Sequence, residues 1–265
     1  MRALSYRTHY PKMKRKNILI TGASSGIGKG LALEYAKKGC NLALCARRVE
    51  NLEELKSEIN SKYPEVHVFV RSLDVTNATQ VFEVFRAFEN DFQEVQEILD
   101  RVIVNAGMGK GGSLGKGLES ANMQTAVTNF CGAISQFEAA LAIFRENNNG
   151  HLVAISSMSA FRGFPRGMTV YAATKAGLKS LAEGARIDLL NKPITVSSIF
   201  PGYIESEITE GLEKRPPFMV STEKGCRLLV QAIDKEKSEA YVPFWPWFFF
   251  KQLMPLMTLG MLRKF

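Results

Sequence analysis

Asn17–Thr21 (NILIT) runs directly into Gly22-Ala-Ser-Ser-Gly26-Ile-Gly28, and a helical apolar pattern follows at once. No other stretch restricts the fold as strongly. Five apolar-leaning residues before a cluster of small ones fit a short buried strand. Ile27, Leu31, Ala32, Tyr35 and Ala36 then recur on one helix face, and Gly39 closes that helix. The turn between strand and helix carries almost no side-chain bulk. Its N–H groups at the helix start are therefore open to an anion, a phosphate above all.

The alternation continues along the chain. Asn41–Ala46 reads as a second strand. Leu52, Leu55 and Ile59 mark a helix stopped before Pro64, and Val66–Val70 is a third strand ending near Leu73-Asp74. A helix is expected over about 77–91, a fourth strand over Arg101–Asn105 and a long helix over about 120–147. Leu152–Ser156 is a fifth strand, Thr169–Leu190 a helix, Ile194–Phe200 a sixth strand and Ala240–Val242 a short seventh. Nearly unbroken apolar strands between helices mean a parallel sheet covered on both faces. Right-handed crossovers then give an α/β, doubly wound sheet of about seven strands in a three-layer sandwich.

A chain of 265 residues can bury a substantial core in one domain. The expected division is a basic extension over 1–13, a single domain over 14–243 that includes the substrate site, and an apolar, aromatic tail over 244–265. The extension carries Arg2, Arg7 and Lys12, and the cationic run goes on through Lys14, Arg15 and Lys16. Met13 is an alternative start, which would make 1–12 a dispensable leader. The first sixteen residues lack the apolar core of a secretory signal. Cys40, Cys45, Cys131 and Cys226 have no disulfide or metal spacing and read as reduced thiols. None of His9, His67 and His151 neighbours a metal partner, so no metal is expected. These features point to a cytoplasmic protein. A net charge of +8 favours anionic partners, but no basic stripe with interleaved aromatics suggests nucleic acid.

The chemistry sits at strand ends. Gly22, Gly26 and Gly28 occupy the place where a dinucleotide pyrophosphate docks, with Thr21, Ser24 and Ser25 adding hydroxyls. Dinucleotide folds that take NAD put an acid after the second strand to hold the ribose 2′-hydroxyl. Here Ala46 stands there, followed by Arg47 and Arg48. Guanidinium groups bind a 2′-phosphate well, so NADP(H) is expected over NAD(H). Asp74 can accept from the adenine amino group, and Asn105-Ala106-Gly107 lets backbone approach the cofactor closely. Farther on, Tyr171 and Lys175 are four apart and share a helix face. An ammonium beside a phenol stabilises the phenolate; bringing a pKa of about 10 to about 7 takes roughly 4 kcal/mol.

Taken together, Thr21-Gly-Ala-Ser-Ser-Gly-Ile-Gly28, Asp74-Val75, Asn105-Ala-Gly107, Asn129, Ile155-Ser-Ser157, Tyr171-Ala-Ala-Thr-Lys175 and Pro201-Gly202 resemble the short-chain dehydrogenase/reductase superfamily, over residues 16 to 243. The resemblance implies a Rossmann-like fold and carbonyl–alcohol oxidoreduction. It makes Tyr171 the proton donor or acceptor and Lys175 its partner, which also holds the nicotinamide ribose. Ser157 would bind the substrate oxygen, and Asn129 would anchor a proton-relaying water. Ile27, Val75, Pro201, Gly202, Ile204 and Ser206 fall at cofactor-binding positions, with Ser206 offering a hydroxyl to the carboxamide. Ser157 lies 14 residues before Tyr171 where 13 are expected, the extra residue falling in 164–169. Ser156 and Ser159 therefore stay open as alternatives. Val104 stands where many relatives have a second asparagine.

Substrate contacts are expected from 108–116, a glycine-rich and mobile loop, and from 158–169 and 203–222. Phe161, Phe164, Met168, Tyr203, Phe218 and Met219 would form an apolar wall. The implied activity is NADPH-dependent oxidoreduction of a lipid-, steroid- or retinoid-like molecule. The alternative is an NADP(H)-binding sensor or scaffold with little turnover. Members of the superfamily commonly pair through the helices around 120–147 and 169–190, so a homodimer or homotetramer is expected. Lys251 splits the uncharged tail into two runs of eleven, too short to span a bilayer. The tail is expected to pack over the pocket or a subunit interface, to lie on a membrane surface, or both.

Overall fold

The computed structural model describes residues 14–207, 209 and 215–263. The basic extension over 1–13, part of the 203–222 segment and the terminal Lys264 and Phe265 lie outside these.

Seven parallel strands form one sheet: β1 (Asn17–Thr21), β2 (Asn41–Ala46), β3 (Val68–Ser72), β4 (Arg101–Val104), β5 (Gly150–Ile155), β6 (Ile194–Pro201) and β7 (Glu239–Val242). Their order is β3-β2-β1-β4-β5-β6-β7. The helices are α1 (Gly26–Ala36), α2 (Val49–Lys62), α3 (Ala78–Glu94), α4 (Glu119–Ala126), α5 (Gly132–Glu146), α6 (Met168–Asp188), α7 (Thr222–Ile233), α8 (Phe244–Leu253) and the single-turn α9 (Leu259–Leu262).

Strand alternation sorts side chains into two cores. Ile18 and Ile20 of β1 pack with Leu31 and Tyr35 of α1, Leu52 and Leu55 of α2 and Leu229 of α7. Leu19, between them, joins Phe85, Phe88 and Phe92 of α3, Phe144 of α5 and Leu178 of α6. This is the three-layer, doubly wound sheet that the alternation predicts.

Several elements differ from expectation, among them β5, which begins at Gly150 rather than Leu152, and the tail, which forms α8 and α9. β3 begins two residues late, because Val66 is held in a turn by its N–H bond to the Tyr63 carbonyl (3.0 Å). The long helix over 120–147 is interrupted by a π-helical turn, Val127–Cys131, that separates α4 from α5. α7 was not anticipated, although Ser221 caps it through Lys224 N and Cys226, Leu229, Val230 and Ile233 face the core. The helical span Glu119–Glu146 is long and apolar enough to cross a membrane by composition, yet its inner face is the packed layer of the second core.

The tail packs inward along one side. Trp247 and Met254 join Met158, Phe200 and Tyr241 in a third cluster, with Phe161, Phe248 and Phe250 against it. A Cβ on Gly202 would lie 2.0 Å from the Trp247 indole, so the tail closes directly onto the end of β6. Trp247 thus needs Gly202 to be bare.

Candidate active site

The strand order reverses between β1 and β4, and the crevice beyond their carboxyl ends is where open α/β sheets hold ligands. Two residues fix this crevice. Thr21 Oγ1 accepts from the backbone N–H groups of Asn105 and Ala106, each at 3.1 Å. Asn105 Nδ2 donates back to the Thr21 carbonyl at 2.9 Å. The Thr21 hydroxyl is thus buried and spent on the protein, which corrects the expectation that it faces the cofactor.

The glycine turn fits a diphosphate. A Cβ on Gly28 would stand 2.2 Å from the Gly22 carbonyl oxygen, so only glycine lets α1 approach the turn this closely. Ser25, at the helix start, makes no side-chain capping bond, and the first turn of α1 carries no acid. Its N–H groups and the positive end of the helix remain available to an anion. A cleft of about 680 Å³ opens beside Ser24, Ser25, Gly26 and Ser206 and continues between α1 and α7. Met219, expected in the substrate wall, lines this cleft instead.

Arg48 lies over the same turn. Its Nη2 donates to Ser25 Oγ at 2.7 Å and to Ser24 Oγ at 3.3 Å. The guanidinium also grips Glu207 with two bonds, at 3.0 and 3.1 Å. Glu207 had no place in the sequence reading, since nothing local links 48 to 207. Arg47 is exposed. Burial pushes the Asp74 carboxyl up, but the Thr76 amide and hydroxyl, with the Arg47 charge, outweigh it and hold it below the usual range. Val75 and Ile204 bury their side chains in the two cores, so any cofactor contact they make is through backbone. Ile27 packs partly against the first core, while Pro201 and Gly202 run beside β7 through the Gly202 N–H to Val242 carbonyl bond (2.9 Å).

The second half of the site comes from β4, the π-turn, β5 and α6. Asn129 sits in the π-turn, 1% exposed. Its Oδ1 accepts from Met108 N and its Nδ2 donates to the Met108 carbonyl, both at 2.8 Å. A further bond runs to Thr174 Oγ1 at 3.3 Å. The side-chain amide therefore holds the 105–108 turn in place. A Cβ on Gly107 would be 3.2 Å from Asn129 Oδ1 and 3.6 Å from Lys175 Nζ, which shows how closely these groups converge. The glycine-rich loop is pinned rather than loose: Asn122 exchanges bonds with Gly112, and Thr125 Oγ1 donates to the Lys110 carbonyl at 2.6 Å. Neither α4 residue is suggested by the sequence pattern.

Tyr171 and Lys175 share one face of α6, with Nζ 5.7 Å from the tyrosine ring centre. Nζ donates to the Ile155 carbonyl at 2.9 Å. Burial lowers the Lys175 pKa to about 8. Burial raises that of Tyr171, and a hydrogen bond with Ser157 works in the opposite direction. Among the protein's own groups, desolvation outweighs the Ser157 hydrogen bond, so the expected lowering of the phenol's pKa is not seen and the phenol is kept protonated.

The three serines separate by their partners. Ser156 Oγ donates to the Lys175 carbonyl at 2.9 Å, a structural tie. Ser159 Oγ is buried without a partner among the described residues. Ser157 alone bonds with Tyr171, while also accepting from Ser159 N at 3.1 Å. The 164–169 stretch, where the extra residue is expected, forms a turn in which Arg166 is left-handed (φ 58°) and Thr169 Oγ1 donates to the Phe164 carbonyl. Tyr203 and Phe218 meet Trp247 of the tail at 5.6 and 6.5 Å between ring centres, and Phe161 packs on Phe200.

The family model for short chain dehydrogenases matches residues 16–217. An uncharacterised oxidoreductase of Mycobacterium tuberculosis is 43% identical over 251 residues, which is 95% of this chain and 97% of that protein. The 11-beta-hydroxysteroid dehydrogenase 1A of Arabidopsis thaliana is 35% identical over 249 residues, covering 87% of this chain and 69% of that one. Among solved structures, an alcohol dehydrogenase from the archaeon Thermococcus sibiricus, complexed with 5-hydroxy-NADP, superposes with a TM-score of 0.74 at 25% identity, covering 86% of this chain and 95% of its own.

Proposed function

The chain belongs to the short-chain dehydrogenase family, an oxidoreductase family using nicotinamide cofactors, and from that premise we propose that it is an NADPH-dependent reductase of hydrophobic carbonyl compounds. The observation that carries this reading is the gathering of Ser157, Tyr171, Lys175 and the Asn129-held turn beside the carboxyl ends of β4 and β5. The cofactor supplies a hydride to the carbonyl carbon. Charge then builds on the oxygen, and the residues here answer that charge. Tyr171, protonated because burial disfavours its phenolate, donates to the oxygen. Ser157 orients it. Lys175, next to Gly107, binds the nicotinamide ribose hydroxyls. Asn129 acts as a positioning residue for the 105–108 turn.

NADPH is preferred in this reading because Ala46 offers no acid to a ribose while Arg47 and Arg48 offer cations. A hydrophobic substrate is favoured by the aromatic surface from Tyr203, Phe218 and Trp247. The Arabidopsis relative, a hydroxysteroid dehydrogenase by name, agrees with a bulky substrate. A non-catalytic NADP(H) sensor is the second reading; retention of the whole Ser157, Tyr171, Lys175 set speaks against it.

The test is a fluorescence titration with NADPH and NADH, followed by a screen of lipophilic ketones and aldehydes. NADPH should bind at least tenfold tighter, and Arg47→Asp should erase that preference. Equal affinity in the wild type would remove the cofactor assignment. Tight NADPH binding without turnover across the panel would favour the sensor.

A further inference from the structure

The tail helix is apolar on both sides. Its inner side, Trp247, Phe250 and Met254, recurs at three and four residues and packs into the third cluster. Its outer side, Phe249 and Leu253 of α8 with Leu256 in the short 3-10 turn that follows (Met254–Leu256), recurs at four and three and faces water, and Trp245, whose backbone is extended where the helix is kinked (φ −93°, ψ 131°), is exposed beside it. Trp245 is 68% exposed and Leu256 78%. A helix that is hydrophobic all round ordinarily needs cover on every side. The outer aromatics also form one connected surface: Phe244 stacks on Phe248 at 4.8 Å, Phe248 meets Phe249 at 5.4 Å, and Phe249 meets Trp245 at 5.2 Å between ring centres. Leu259 and Met261 add exposed side chains just beyond it.

Charge is distributed in a way that identifies the cover. From 240 to 262 the only charged residue is Lys251. It is turned inward, half-buried, onto the Phe161 and Tyr241 rings and 3.4 Å from Glu239. The outer side therefore has no charge at its centre. Its rim is basic. A cleft of about 310 Å³ runs between the tail and α7, with Phe244 and Phe248 on one wall and exposed Lys235 and Lys237 on the other. Arg263 is exposed at the far end of the tail. The one acid lining the cleft, Glu239, is already engaged by Lys251 and the Tyr241 hydroxyl.

We propose that this face docks on the surface of a bilayer containing anionic phospholipid. Trp245, Phe249, Leu253 and Leu256 enter the boundary between headgroups and acyl chains, and Lys237 and Arg263 meet lipid phosphates. Aromatic side chains favour that boundary, and cations beside an apolar helix add attraction to anionic lipid. A second copy of the chain fits less well. A two-fold contact would set this face against itself and bring the same cations together, while Glu239, the one acid on the cleft wall among the described residues, is already engaged. The inference is independent of the proposed reaction. It places the tail between a lipid phase and the pocket side of Tyr203 and Phe218.

Co-sedimentation with vesicles of phosphatidylcholine, alone or with phosphatidylserine, tests this directly. The full chain should pellet with the mixed vesicles and release at least tenfold more protein at high salt. Trp245 emission should shift to the blue. The double variant Leu256→Glu/Leu259→Glu, altered only at exposed positions, should bind at least tenfold more weakly while melting at the wild-type temperature. Lys237→Glu/Arg263→Glu should lose the preference for phosphatidylserine. A wild-type chain that stays in the supernatant with both vesicle types overturns the proposal. So does a wild-type dimer that the Leu256→Glu/Leu259→Glu change converts to a monomer without altering vesicle binding.

Discussion

Lys175 carries its charge at a cost. Its ammonium is buried and its pKa falls from 10.5 to about 8. Below pH 8 it is charged both folded and unfolded, so the burial penalty is present in full. Between pH 8 and 10.5 the unfolded chain binds the extra proton, and stability rises with pH. Lys175→Met should therefore raise the melting temperature at pH 7, and that gain should shrink by pH 10. Melts at the two values check it; a gain that grows with pH contradicts the burial argument. The Arg48–Glu207 pair leads to a second residue-scale prediction. Glu207 competes for the guanidinium that a 2′-phosphate would use. Glu207→Gln should tighten NADPH several-fold and leave NADH unchanged, read by the same fluorescence titration. Loosened NADPH binding would mean that Glu207 instead organises the site.

At the scale of elements, the π-turn between α4 and α5 aims Asn129 at Met108 and Thr174. Asn129→Ala would leave the half-buried N–H and C=O groups of Met108 without their side-chain partners. A loss of about 1 kcal/mol is expected for hydrogen bonds of this kind, so the variant should unfold at lower denaturant as well as lose turnover. Full stability with lost turnover would show that Asn129 acts directly on the chemistry.

The strands, the glycine turn and the Tyr171–Lys175 face were legible in the sequence because each follows from local spacing. The break at Val127–Cys131 was not: a long apolar helix pattern looks the same with or without one π-turn. Glu207 and Thr174 act on residues distant in the chain or through a hydroxyl whose partner depends on the fold. α7 is a different case, since its Ser221 cap and its Cys226, Leu229, Val230 and Ile233 spacing are both visible in the sequence. The pKa balance at Tyr171 reversed because desolvation belongs to the packed site and not to the helix.

The whole molecule divides its polar groups by end. At the amino ends of the strands, Arg101, 2% exposed, bonds Asp234 at 2.7 Å and His151 Nδ1 at 2.9 Å. This network touches none of the site residues at the opposite end. Asp234 is half-buried, so Asp234→Ala should cost roughly 1.5–3 kcal/mol, as for a lost charge-assisted hydrogen bond, and leave the kcat of folded protein near the wild-type value. The central claim concerns the other end: Tyr171 is the proton donor to a substrate held at the carboxyl edge of the sheet. It is tested most directly by comparing wild type and Tyr171→Phe in NADPH oxidation with a lipophilic ketone, while NADPH affinity is measured on both. Turnover falling by at least a hundredfold, with affinity within a few-fold of wild type, is the predicted result. Turnover surviving the loss of the hydroxyl would contradict the account.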